Sequence, residues 1–121
     1  MAESNLTQDW SYLKKYEEEN AQLALQKIDE DRIVFLGDSI TEFWSREHCF
    51  FSQNKSFINR GISGQTTPQM LLRFRADVIE LKPKVVVILA GANDIAGNTG
   101  YSDLKMITNN LFSMVELAQF H

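Results

Sequence analysis

The sequence predicts an α/β fold in three layers, a parallel sheet with helices on both of its faces. Three observations predict it. Short apolar runs rich in β-branched residues occur at Ile33–Leu36 and Val85–Leu89 and end at small residues, the first at Gly37 and the second at Ala90-Gly91. Segments of helical periodicity lie between and around these runs, and such alternation builds right-handed βαβ units. Each candidate strand then opens into a small, polar, glycine-bearing segment, the place where open parallel sheets bind ligands.

Taken in order, residues 8–28 read as a polar helix with a narrow stripe of Leu13, Tyr16, Leu23 and Ala24. Glu17, Glu18 and Glu19 form its solvated face. The run Ile33-Val34-Phe35-Leu36 is the first strand, and Ile40–Trp44 has the pattern of a helical turn. Ser56–Arg60, closed by Gly61, is a weaker strand. Thr67-Pro68 marks a helix start, with Thr67 as the cap and proline at the first helical position. Leu71, Phe74, Val78 and Leu81 continue that helix until Lys82-Pro83, since a residue before proline avoids helical angles. Val85–Leu89 is the strongest strand signal. A last helix over 102–118 carries Leu104, Ile107, Leu111, Val115 and Ala118 on one stripe.

The chain has 121 residues, of which 44% are hydrophobic, enough for one domain with a core. The expected organisation is a single domain over 1–121 with residues 1–30 as a helical extension packed on it. Sixteen acidic against twelve basic residues give a net charge of −4, which argues against nucleic acid as a partner. No apolar run reaches the roughly 20 residues of a membrane span. The start lacks a charged segment followed by an apolar one, so no signal peptide is expected, and a cytoplasmic location is the default alongside an exported mature form. Cys49 reads as an apolar filler beside Phe50 and Phe51, and no His, Cys and carboxylate set has metal-ligand spacing. Neither metal nor cofactor is expected. The sequons at Asn5 and Asn54 are too common by chance to carry weight.

The chemistry concentrates in three segments: Gly37-Asp38-Ser39, Gly61-Ile62-Ser63-Gly64 and Gly91-Ala92-Asn93-Asp94. A serine hydroxyl at a helix N-terminus meets unpaired N–H groups that favour developing negative charge. Ser39 there suits a nucleophile, or simply a helix cap. Backbone N–H groups at Ser39 and Gly61 and the Asn93 side chain are candidate donors to one oxyanion. Turn geometry explains Gly61 and Gly91 equally well, and an Asx turn explains Asn93.

These blocks resemble, in order, the first three signature blocks of the SGNH (GDSL-type) esterase and lipase family. The resemblance runs over about residues 30–118. It implies a flavodoxin-like sheet and a serine acyl hydrolase acting on a small ester of a sugar, lipid or other alcohol. In that family pattern Ser39 is the nucleophile, and the Ser39 and Gly61 amides with the Asn93 side chain form the oxyanion hole. Asp38 and Asp94 become orienting groups beside Gly91.

The family's fourth block, Asp-x-x-His, has no counterpart. Ser45 stands three residues before His48 and Ala118 three before His121. The implied fold is therefore incomplete at its C-terminal side. Losing the base of such a triad costs on the order of 10⁶ in turnover, so the chain by itself is expected to be nearly inactive. Three accounts stay open: part of a longer enzyme, a chain completed by a second chain or copy, or a non-catalytic relative. The rival class is an anion- or phosphate-binding module, or an interaction fragment offering an open sheet edge. Its support is the loop Gly61–Thr67, a phosphate-loop mimic without the lysine.

Overall fold

The computed structural model of the protein describes residues 9–47 and 50–121. After a 3₁₀ turn at Leu13–Lys15 come α1 (Glu17–Ala24), β1 (Ile33–Gly37), α2 (Ser39–Glu47), β2 (Phe57–Gly61) and α3 (Thr67–Asp77). A second 3₁₀ turn, Ile79–Leu81, leads to β3 (Val85–Leu89), the short α4 (Ala92–Ile95) and α5 (Leu104–Phe120). The strands form a parallel sheet in the order β2-β1-β3, with Phe35 opposite Asn59 on one side and Val87 on the other. This is the expected α/β architecture.

Side-chain parity divides the sheet into two faces. Val34, Leu36, Val86 and Ile88 point to one face and pack with Met70, Phe74, Val78, Leu81 and Met114 from α3, the following turn and α5. Phe35 and Phe57 point to the other, where Phe35 meets Trp44 and Phe51 edge-on at 5.9 and 5.1 Å. Trp44, half-buried, stacks on Phe50 at 4.7 Å and so belongs to this aromatic cluster. Val85, Val87 and Leu89 share that second face but keep 45%, 43% and 51% of their surface exposed. The expectation that every strand is covered on both faces therefore holds for β1 and fails for β3. Among the described residues α2 and its aromatic cluster cover β1 and β2 only.

Two helix stripes are set differently from their sequence reading. On α5 the buried positions are Ile107 and Met114, while Leu104 and Val115 are exposed. Ile107, Leu111 and Ala118 of the expected stripe do face the core, and Met114 joins them there in place of Leu104 and Val115. The polar N-terminal helix is shorter than 8–28. Only Glu17–Ala24 is α-helical, and Leu25 and Ile28 lie exposed beyond it. The cap of α3 is Thr66 rather than Thr67, with Gln69 Oε1 accepting the Thr66 N–H at 3.1 Å.

Candidate functional site

Strand β1 ends at Gly37, where an added Cβ would lie 2.1 Å from Thr41 Oγ1, so only glycine lets α2 start so close to the strand. Asp38 follows, buried, and caps α2: its Oδ1 accepts the Ile40 N–H at 3.1 Å, and its carbonyl accepts the Glu42 N–H at 2.9 Å. Ser39 is thereby the first residue of α2, half-buried at the carboxyl end of the central strand.

The loop after β3 reaches across to this point. Gly91 holds φ 116° and leads into α4, a conformation that carries a steep penalty for a side chain. Asn93 Nδ2 donates to the Gln65 carbonyl at 3.0 Å and approaches Asp38 Oδ2 at 3.4 Å. One amide thus ties together the loops that follow all three strands. Asp94, 2% exposed, accepts the Thr67 N–H at 2.9 and 3.1 Å and the Thr67 hydroxyl at 2.5 Å. Its carboxylate occupies the N-terminus of α3, where the helix dipole favours an anion.

Gly61 is placed differently from Ser39 and Asn93. Its N–H donates to Asn59 Oδ1 at 2.8 Å, and its carbonyl accepts the Tyr16 hydroxyl at 2.5 Å. A Cβ there would meet Glu42 N at 2.3 Å, so the close approach that requires glycine is to the backbone of α2. The next residues remain near the site: the Ser63 N–H donates to Glu42 Oε1 at 2.7 Å, one helical turn from Ser39. Gly64, at φ 79°, is exposed, and its carbonyl accepts from Asn98 Nδ2 at 3.1 Å.

Behind these loops lies a buried polar network. Arg73, fully buried, donates from Nε to Gln65 Oε1 at 2.6 Å, from Nη2 to the Gly37 carbonyl at 3.3 Å and from Nη1 to Asp77 Oδ2 at 3.1 Å. Asn20 Nδ2 donates to Asp77 Oδ1 at 2.7 Å, and Arg60 donates to Asn20 Oδ1 from Nε and Nη2 at 3.0 and 2.8 Å. Burial draws both guanidinium groups below their ordinary pKa, while Asp77 opposes the shift at Arg73 and Glu19 opposes it at Arg60. Burial also raises the Tyr16 phenol from 10.0 to about 12, with the Glu42 charge adding to the rise. None of Tyr16, Gln65 or Arg73 stood out as a site residue in the sequence. The available signal was Arg73 and Asp77 at i, i+4 spacing inside an otherwise apolar helix stripe.

Of the two histidines, His48 lies outside the described residues, as does Cys49. His121 follows α5 and lines a depression with Pro83, Lys84 and Val86 at the start of β3, the end of the sheet opposite Ser39. Among the described residues, no group of three or more His, Cys, Asp or Glu side chains is arranged to hold a metal, and no helix is long and apolar enough to cross a membrane.

Comparison with known proteins places this arrangement. The model of the GDSL-like lipase/acylhydrolase family matches residues 35–121. A GDSL-like lipase from Bacteroides thetaiotaomicron VPI-5482 has a solved structure that superposes with a TM-score of 0.85 at 50% identity, over 92% of this chain and 54% of that one. A structure from Bacteroides fragilis NCTC 9343 gives a TM-score of 0.86 at 48% identity, over 93% and 54%. An acetylxylan esterase from Geobacillus stearothermophilus shares the fold at a TM-score of 0.62 and 22% identity, over 77% and 57%. Among curated proteins, the uncharacterized lipoprotein YqeF of Bacillus subtilis (strain 168) is 49% identical over 43 residues, which are 36% of this chain and 18% of that protein. The chain spans about half the length of the solved relatives it matches. Matched over residues 35–121 and carrying the same parallel sheet, the chain belongs to the GDSL-like lipase/acylhydrolase family.

Proposed function

We propose that this chain carries the nucleophile and part of the oxyanion site of a serine acyl ester hydrolase. The observation that carries the reading is that Asn93 bonds to Asp38, the residue directly before Ser39 at the first position of α2, and to the Gln65 carbonyl. In this reading the Ser39 hydroxyl attacks the ester carbonyl. The carbonyl oxygen becomes an oxyanion stabilised by the Ser39 backbone N–H and by the Asn93 amide, which exchanges its long 3.4 Å bond to Asp38 for the oxyanion, and the alcohol leaves with a proton to give an acyl-Ser39 ester. Water then cleaves that ester and releases the acid. The Gly61 N–H, engaged by Asn59, holds the β2 terminus against α2, which supports a structural part for this glycine. Asp38 and Asp94 orient the loops through the Ile40 and Thr67 N–H groups.

The proton acceptor for Ser39 is not supplied by a described histidine, since His121 sits at the far end of the sheet. Free imidazole therefore serves as the base in the test. Hydrolysis of p-nitrophenyl acetate is measured with increasing imidazole for the protein and for Ser39→Ala. The expected result is an acceleration over imidazole alone that saturates and vanishes in Ser39→Ala; equal rates for the two proteins overturn the nucleophile assignment. The phosphate-binding reading is disfavoured by Asp94, whose carboxylate fills the α3 N-terminus that a phosphate would need.

A further inference from the structure

A cavity of about 930 Å³, near the upper end of ligand-pocket sizes, adjoins the candidate site through Gln65, whose carbonyl holds Asn93. One wall is the N-terminal segment, with Trp10 and Tyr12, 38% and 42% exposed; the other is Ser63, Gly64, Asn98 and Thr99 from the loops after β2 and β3. This segment lies outside the residues matched by the family model.

The aromatic wall is built rather than incidental. Asp9 accepts the N–H groups of Leu13 and Lys14 at 2.8 and 3.0 Å, and its carbonyl accepts the Tyr12 N–H at 3.0 Å. Tyr12 is held at φ 59° and ψ 50°, the left-handed region that bulky residues avoid. Two glutamines from the α3 end of the site fasten the segment from below: Gln65 Nε2 donates to the Ser11 carbonyl at 2.6 Å and Gln69 Nε2 to the Trp10 carbonyl at 2.9 Å. Three bonds within the strained segment and two from the glutamines thus fix two partly exposed aromatic residues beside the cavity.

The lining chemistry selects the ligand. An acyl chain wants apolar walls all round, but the wall facing the rings offers hydroxyls, an amide and glycine backbone. Among the described residues that line the cavity none is cationic, and the neighbouring Lys15 ammonium, 5.8 Å from the Tyr12 ring centre, is paired with Glu42 at 3.2 Å, so this lining favours a neutral ligand over an anionic one. A neutral ring with apolar C–H faces and hydroxyl edges fits both walls. We propose that Trp10 and Tyr12 form a platform for a pyranose, the alcohol half of a sugar ester whose acyl group is presented to Ser39. Ser63 joins the two places, since it lines the cavity and donates its N–H to Glu42 on the Ser39 helix. The alcohol-half role rests on the Ser39 reading; the binding itself does not.

The test is calorimetric titration of the protein with xylotriose, cellotriose and N,N′,N″-triacetylchitotriose, with octanoate as the acyl probe. At least one trisaccharide is expected to bind, and Trp10→Ala to weaken it about tenfold or more, in keeping with the loss of a ring contact. Trp10→Phe should recover part of that loss. Tyr12→Asn keeps a residue tolerant of the left-handed backbone while removing the ring, and should weaken binding with the fold intact by circular dichroism. Absence of binding by all three sugars, equal affinity in Trp10→Ala, or octanoate binding that depends on Trp10 each overturns the proposal. Ser39→Ala should leave sugar affinity unchanged, so a failed hydrolase reading shows as intact sugar binding without Ser39-dependent cleavage.

Discussion

Replacing Arg73 by methionine removes one buried charge and leaves its surroundings otherwise filled. The guanidinium bridges Gln65, the Gly37 carbonyl and Asp77 at 2.6, 3.3 and 3.1 Å, and both Arg73 and Asp77 are fully buried. After the change Asp77 keeps, among the described residues, the Asn20 amide at 2.7 Å as its side-chain donor. Breaking a buried pair by deleting one partner costs about 3–5 kcal/mol, because a charge is left without compensation. The domain's total stability is about 5–15 kcal/mol, so roughly a fifth or more of it is at stake. With a urea slope of about 2 kcal/mol per molar, the midpoint should fall by roughly 1.5–2.5 M in equilibrium unfolding followed by circular dichroism. The double variant Arg73→Met/Asp77→Leu removes both charges and should recover most of the loss, as apolar replacement of a whole buried pair does. A single variant that loses less than about 1 kcal/mol, or a double variant no better than the single, refutes the reasoning.

The remaining predictions address the same framework. Because the Tyr16 phenol is raised from 10.0 to about 12, the folded state holds its proton more tightly than the unfolded one. The stability it contributes is complete below pH 10 and is lost as pH rises from 10 to 12; Tyr16→Phe should flatten that part of the pH–stability curve and lower the plateau by about 1 kcal/mol through the lost bond to the Gly61 carbonyl. Gly61→Ala sets a Cβ 2.3 Å from Glu42 N, and should cost about 1–3 kcal/mol in thermal or urea unfolding. Asn93→Ala should slow Ser39-dependent ester cleavage by roughly 10²–10³ with little change in substrate affinity; a change in affinity alone would make Asn93 a binding group only.

The strands and the order of elements were legible because β1 and β3 are continuous apolar runs, a signal local to a few residues. The loops of the site were legible for a similar reason: Asp38-Ser39 and Asn93-Asp94 sit directly after those runs. Gly61 shows the limit. Sequence identifies a position needing glycine, but whether a substrate or a helix makes the close approach depends on Thr41 and Glu42 of α2, twenty and nineteen residues away in the chain. The Arg73 network is equally non-local, since its partners Gln65, Gly37, Asp77 and Asn20 come from four parts of the chain. Tyr12 in the left-handed region could not be read at all, because nothing in a Trp-Ser-Tyr-Leu segment announces positive φ. On α5 the stripe was legible at Ile107, Leu111 and Ala118, while Met114 and Val115 are adjacent apolar residues of which only the first faces the core.

Ser39 as the acyl acceptor is the claim on which the account turns, and it can be read at a single residue. The protein is exposed to p-nitrophenyl acetate in the presence of imidazole, then digested and mapped by mass spectrometry. The account predicts one dominant acetyl ester on the peptide carrying Ser39, absent in Ser39→Ala and formed far more slowly in Asn93→Ala. Acetyl groups scattered over lysines with Ser39 unmodified would contradict it.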